Sequence, residues 1–264
     1  MNYISSVHNS KIRTLIGLKD RRQRLAAGQI VVEGYEEILL ALESDHPSED
    51  LFYCPALFPA HYDLRRLLDS FPPEQHYELE ERVFHKIAYR ENPDGCIATF
   101  PPPDRPLDQL PIGPNPLILV AEGVEKPGNL GAMLRTADAA GADALIACDP
   151  LTDWGNPNIV RASKGTLFTV PTSQANSESL LSWIQKRGLL TVVASPEAEL
   201  SYTQADLSRP LALILGTEHE GVSDFWHAAA DLKIRLPMYG KVNSLNVSNT
   251  AAILLYEVVR QRAR

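Results

Sequence analysis

Six short apolar runs punctuate residues 117–262, at 117–121, 144–148, 167–170, 189–194, 211–215 and 232–236. Helical patterns lie between or after several of them, at 130–140, 178–186, 225–230 and 247–262. A short apolar run bounded by turn residues reads as a strand buried on both faces. Strands alternating with helices predict an α/β fold with a largely parallel sheet covered on both sides. In such sheets ligands sit at the carboxyl ends of the strands, and the unusual loops of this chain fall there.

A proline-rich stretch sets the other boundary. Residues 100–116, FPPPDRPLDQLPIGPNP, hold seven prolines in 17 positions. Proline removes a backbone donor and disfavours helix in the residue before it, so the stretch reads as a stiff, extended linker. The expected domains are 1–100, a linker at 101–116, and 117–264. The first part reads as a small α/β domain. Its helical patterns are 9–27, with a strongly basic face, 35–42 and 64–68; its strand candidates are 29–32 and 51–54. No chemistry stands out there: His61, His76 and His85 read as surface or packing residues.

Composition narrows the partners. With 44% hydrophobic and 22% charged residues among 264, the chain can bury a real core. A net charge of −8 argues against a nucleic-acid partner, but its distribution qualifies that. Lys11, Arg13, Lys19, Arg21, Arg22 and Arg24 stand against Asp20 alone, and Arg260, Arg262 and Arg264 close the chain. On charge alone both stretches read as solvated helix faces. Cys54, Cys96 and Cys148 are odd in number and lack metal-ligand spacing, as expected of reduced thiols in a cytoplasmic protein. No metal site is expected. No targeting segment is visible, and no apolar run approaches the roughly 20 residues of a membrane span.

Three loops carry chemistry. In the first, 122–137, a strand enters a Gly/Pro loop and a helix follows, with Asn129 as its expected N-cap. Arg135 lies among the apolar Leu130, Met133, Leu134 and Ala137. Two readings are open for its guanidinium: contact with a phosphate or hydroxyl, or an internal salt bridge or simple exposure. In the second, a buried strand ends in Gly216-Thr-Glu218-His-Glu-Gly221. Gly216 permits a close approach to the backbone, and Glu218 reads as a brace for the loop. In the third, an apolar strand ends at Pro237 and a long helix opens at Ser244, Asn246 and Ser248, more small polar groups than one cap requires. Neither the dinucleotide fingerprint nor the phosphate-binding loop is present.

In this order, these loops resemble the SpoU family of RNA methyltransferases, within the SPOUT superfamily. The matching text is NLGAMLRTADAAGA (129–142), LILGTEHEG (213–221) and LPMYGKVNSLNVSNTAAILLYE (236–257), with NIVRASKGTLFTVP (158–171) similar to the family's intervening stretch. Lys164 and Thr166 stand where smaller residues are common. The resemblance covers essentially all of 117–264; residues 1–116 are more loosely similar to the accessory substrate-binding module of the ribosomal-RNA branch.

The resemblance implies a C-terminal SPOUT domain with a deep trefoil knot, S-adenosylmethionine as methyl donor, and a homodimer whose active sites are shared between subunits. Carried over by position, Gly216, Leu236 and Leu245 hold the cofactor, with Ala194 or Ser195 nearby. Arg135 acts on the ribose 2′-OH, Asn129, Ser244 and Asn246 hold ribose and phosphate, and Glu218 braces the cofactor loop. A 2′-OH is a poor nucleophile and needs both positioning and a proton acceptor. Arginine's pKa above about 12 makes it an unusual base, so Arg135 is expected to organise hydroxyl and phosphate and to take the proton there.

Ribosomal RNA is the first expected substrate and tRNA the second, from the size of the N-terminal domain and its basic segment. Lys11, Arg13, Arg21, Arg22 and Arg24 are the expected RNA contacts. Two other readings compete: a catalytically silent RNA-binding assembly factor, and a nucleotide-dependent dehydrogenase, which would need the missing fingerprint.

Overall fold

The structure, a computed structural model, describes residues 2–263; Arg264, the last of the expected C-terminal cations, lies outside them. The elements begin with β1 (Asn2–Ile4), α1 (Ser10–Gly17), α2 (Arg21–Ala27), β2 (Ile30–Glu33) and α3 (Tyr35–Glu43). Next come β3 (Leu51–Tyr53), α4 (Leu64–Asp69), β4 (His76–Leu79), α5 (Glu81–Ile87) and β5 (Cys96–Phe100). The chain continues through β6 (Leu117–Glu122), α6 (Pro127–Ala140), β7 (Ala144–Cys148), α7 (Pro157–Ser163) and α8 (Thr166–Thr169). It ends with β8 (Thr172–Ala175), α9 (Ser177–Lys186), β9 (Leu190–Ala194), β10 (Leu200–Ser201), β11 (Leu211–Leu215), α10 (Asp224–Ala229), β12 (Leu232–Arg235) and α11 (Val247–Arg262).

These elements form two compact units. The first holds residues 2–103 together with 153–169; the second holds 104–152 and 170–263. The chain thus passes between units three times, whereas a single division at 101–116 would pass once. Within the second unit the proline-rich stretch is packed rather than free. Leu110 is buried against Trp183 and its neighbours, Trp183 Nε1 donates to the Leu107 carbonyl at 2.9 Å, and Asp143 accepts from Gly113 N and Leu117 N, both at 2.8 Å.

The first unit is built on a five-stranded mixed sheet in the order β1-β4-β3-β5-β2. Ile12, Leu15, Leu18, Val83, Phe84 and Ile87 cover one face, against Phe52 and Ile97. The expected helix over 9–27 is two helices, because the Asp20 carboxylate caps a new one by accepting from Gln23 N at 3.1 Å. The run at 167–170 is not a strand. It forms α8, with Leu167 and Phe168 buried, and Phe168 packs on Phe100 and His46. The strand is β8, five residues further on.

The second unit is a seven-stranded, wholly parallel sheet in the order β10-β12-β9-β11-β6-β7-β8. Every residue of β6, β7 and β11 is buried, which is why those runs lack alternation. Ile118, Val120, Ile146 and Ile214 face Leu180, Trp183 and Trp226 from α9 and α10. The alternate residues Leu119, Leu145 and Leu213 point to the other face, since successive side chains alternate. Each such fully buried aliphatic side chain stabilises the sheet by roughly 1.5–3 kcal/mol. Elsewhere in the unit α6 packs along α11. Because all seven strands are parallel, their carboxyl ends form one edge.

Candidate active site

At that edge β12, β9, β11 and β6 are neighbours, and the three unusual loops leave from β6, β11 and β12. The loop after β11 folds tightly on itself. Thr217 and Gly221 exchange backbone bonds, N to O at 3.0 Å and 3.2 Å. A Cβ at Gly216 would collide with the Gly221 carbonyl. The close approach that Gly216 allows is therefore by the chain's own backbone. Glu122, buried at the end of β6, braces the same loop by accepting from Ser223 N at 2.9 Å.

Glu218 joins the three loops. Its carboxylate accepts from Lys126 Nζ at 2.6 Å, from Asn129 Nδ2 at 3.0 Å and from Asn246 Nδ2 at 2.5 Å. Asn246 Nδ2 also donates to Asn129 Oδ1 at 3.1 Å. The Lys126 hydrogen bond, then that of Asn129, hold the Glu218 carboxyl below its ordinary range. Asn246 caps α11, its Oδ1 accepting from Ser248 N at 3.0 Å and Ser248 Oγ at 2.6 Å. Asn129, expected as an N-cap, is not one. The helix begins two residues earlier at Pro127, with Lys126 at the cap position and no side-chain bond, which leaves the Asn129 amide free to reach Glu218.

Arg135 lies six residues beyond Asn129, about 9 Å along the helix and about 120° around it. Leu130, Met133, Leu134 and Ala137 form the buried face, and Arg135 is exposed on the other side. Among the described residues its side chain makes no hydrogen bond or ion pair. The internal salt bridge is thereby excluded. Ser244 is also exposed and bonds nothing among the described residues.

Leu236 and Leu245 line one cavity of 360 Å³, with Ser201, Tyr202, Thr203 and Pro237. That volume suits a small-molecule site, typically about 300–1,000 Å³. Ala194 ends β9 beside β12 and Ser195 follows it on the same edge, but neither is part of the lining. Ser195 N donates to the Ile234 carbonyl at 2.9 Å and its Oγ accepts from Glu197 N at 3.3 Å.

The model of the SpoU rRNA Methylase family matches residues 116–256. The chain belongs to that family. Residues 9–98 match an MRM3-like substrate binding domain. The chain is 30% identical to the 23S rRNA (uridine(2479)-2′-O)-methyltransferase of Streptomyces viridochromogenes, over 93% of this chain and 87% of the relative. A crystal structure of an RNA 2′-O ribose methyltransferase superposes with a TM-score of 0.86 at 38% identity, covering 99% of this chain and all of the other. The AdoMet-bound rRNA methyltransferase of Sinorhizobium meliloti gives 0.89 at 26%, covering 98% and 97%. The α/β architecture of this SpoU methylase, a parallel C-terminal sheet with a small N-terminal substrate-binding module, is that of the SPOUT fold.

Two residues that bond within these loops escaped sequence reading, Lys126 and Glu122. Both lie in the loop already singled out, and a carboxylate closing an apolar strand was the available signal for Glu122. The amino-terminal cations need correction. Arg24 is 4% exposed. It donates Nε and Nη2 to Asp153 at 3.0 and 2.7 Å and Nη1 to the Leu18 and Lys19 carbonyls, so it is not available to RNA. Lys11 is half-buried and ion-paired with Asp50 at 2.5 Å. Arg13, Arg21 and Arg22 are exposed. The cysteines are free and buried. No helix among the described residues is long and apolar enough to cross a membrane, and none of their His, Cys, Asp and Glu side chains cluster as metal ligands.

Proposed function

We propose that Arg135, Asn129, Asn246 and Ser244 perform the methyl transfer of this enzyme on 23S ribosomal RNA, within a homodimer in the cytoplasm. The chain is an S-adenosylmethionine-dependent RNA 2′-O-ribose methyltransferase. When bound, S-adenosylmethionine supplies an electrophilic methyl group on a sulfonium. The cavity behind Leu236 and Leu245, at the carboxyl edge of β12, is of the size and mixed polarity to hold it, and Gly216, Ala194 and Ser195 border the same edge.

The observation that carries the reading is the contrast between two polar groups. Glu218 ties Asn129 and Asn246 into one network, whereas the Arg135 side chain finds no partner among the described residues. Asn129 and Asn246 are thereby fixed in position to bond ribose and phosphate oxygens. Arg135 would hold the 2′-OH against a neighbouring phosphate and, as the neutral guanidine, take its proton while the methyl group passes from the sulfonium sulfur to the ribose oxygen and the thioether leaves. An exposed guanidinium awaiting its acceptors suits an active site completed by a second subunit. The trefoil knot that the resemblance implies would lie among the segments that carry these loops.

The test is incubation with methyl-labelled S-adenosylmethionine and either protein-free 23S rRNA or total tRNA, followed by digestion to nucleosides. Label on a ribose 2′-oxygen of 23S rRNA, lost in Arg135→Ala, is the expected result. Label confined to tRNA would move the substrate, and binding of RNA with no label in either would leave a silent binder.

A further inference from the structure

Around one point of the first unit, exposed cations outnumber the acidic groups that could neutralise them. Asp153, whose side chain is 8% exposed, is occupied by the two Arg24 bonds. Arg21 Nε stands 3.7 Å from the same carboxylate, too far for a hydrogen bond, with its side chain 55% exposed. Arg24 Nη1 meanwhile holds the Leu18 and Lys19 carbonyls at 3.0 and 2.8 Å and so fixes the junction of α1 and α2. From that junction Lys19 lays its ammonium 4.4 Å over the Tyr89 ring. The Tyr89 hydroxyl, pushed up to about 12 by burial, also feels the charges of Arg24 and Arg161.

Arg161 comes from α7, which packs on β2 in this unit. It is exposed, and its side chain has no ion pair or hydrogen bond among the described residues. Of the remaining acids nearby, Glu33 is buried and accepts from Tyr89 N and Arg90 N; Asp20, exposed, caps α2 and keeps its charge, one carboxylate against Lys19, Arg21 and Arg161.

We propose that Lys19, Arg21 and Arg161 form a contact site for the sugar–phosphate backbone of the RNA substrate, assembled by the buried Arg24–Asp153 pair. On a chain of net charge −8, a local surplus of this kind is what draws RNA in. Guanidinium groups match phosphate geometry with two parallel donors. The segment 153–169 lies inside the methylase match at 116–256 yet folds into the first unit. The substrate-binding surface therefore extends beyond residues 9–98. The inference rests on the proposed RNA substrate.

The experiment uses the full chain and in-vitro-transcribed, protein-free 23S rRNA, with binding followed on filters across a salt series. The variant Lys19→Gln/Arg21→Gln/Arg161→Gln should bind about tenfold or more weakly, and its slope of log affinity against log salt should be shallower by about 2–3. Arg161→Gln alone should flatten the slope by about one. Thermal unfolding and S-adenosylmethionine binding by calorimetry should match the parent. Unchanged affinity and slope in a folded triple variant overturns the site. If the parent methylates 23S rRNA while the triple variant binds it normally, the site alone fails. If the variants lose binding but the parent transfers no methyl group, the site stands and the functional reading fails.

Discussion

The junction of α1 and α2 and the outer face of α6 each present an arginine beside apolar residues, and in sequence the two look alike. Their surroundings differ in one respect that decides their use. Arg24 is enclosed, and four acceptor oxygens satisfy its guanidinium. Arg135 is exposed and the described residues give it none. Removing a guanidinium from water costs several kcal/mol unless acceptors replace the water. Folding therefore supplies Arg24 with acceptors for four of its five N–H groups and fixes it. At Arg135 the described residues supply none, and the side chain stays available for a substrate. On the proposed reading, the RNA surface is marked not by the charge of a segment but by the exposed part of it that makes no hydrogen bond within the fold.

The largest expected effect tests the free arginine. Arg135→Ala should lower methyl transfer by about 10²–10⁴-fold, while stability stays within about 0.5 kcal/mol of the parent, as for an exposed residue without partners. A marked loss in thermal unfolding would mean that Arg135 is structural after all, and the contrast would collapse. The next effect tests the buried arginine. Arg24→Ala removes both hydrogen bonds to the buried Asp153 carboxylate, leaving Arg21 at 3.7 Å as its remaining cation, and should cost about 3 kcal/mol, read as a lowered denaturation midpoint. Methyl transfer per folded molecule should survive much better than in Arg135→Ala. A stable Arg24→Ala protein with weakened RNA binding would return Arg24 to the RNA surface.

The reason sequence misread Arg24 is distance along the chain. Its acceptor Asp153 lies 129 residues away, and no local pattern announces such a pair. The same cause explains α8. Leu167 and Phe168 read as a strand because apolar runs in this half are mostly strands, but Gly165 closes against Leu40, and Phe168 packs on Phe100. That partner belongs to the amino-terminal part. By contrast β6, β7, β11 and α11 were legible nearly to the residue. Their burial is continuous or their helical pattern long, so the local signal and the tertiary outcome agree. β1 and β4 are only three and four residues long and carry too little pattern to read. In the site, the loops drew notice because Gly- and Asn-rich turns at strand ends are unusual, but the roles of Asn129 and Asn246 rested on the family resemblance. The error over the Asn129 cap arose from preferring the commoner role of asparagine to the Pro127 start.

A smaller effect sharpens the picture of the brace. Glu218→Gln puts an amide donor among the Asn129 and Asn246 donors, so methyl transfer should fall about tenfold without loss of fold. Because Glu218 is held below its ordinary range by Lys126 first, its stabilising contribution is complete above the unfolded carboxylate value. It is lost only as pH falls through the lowered folded one. The acid limb of the rate profile should therefore not come from Glu218. If Glu218→Gln shifts that limb, the carboxylate titrates within the working range and the brace reading fails.

The smallest effect sets a buried carboxylate against this bonded one. Glu33, in the first unit, accepts from Tyr89 N at 2.7 Å, yet burial raises its pKa above the ordinary 4.5, outweighing those bonds and Arg90. The sign is opposite to that of Glu218. The folded state keeps a proton on Glu33 that the unfolded chain has already released, so this group disfavours folding progressively as pH rises from 4.5 through its raised folded value. Glutamine mimics the protonated form and can still accept from Tyr89 N. Thermal unfolding of Glu33→Gln should thus track the parent below that window and gain on it above, with the difference levelling off once the parent is ionised. A variant that instead loses ground as pH rises would show that the ionised carboxylate is the form the fold prefers, with Arg90 as its counter-ion, and that burial in the first unit is compensated for anions as fully as it is for Arg24.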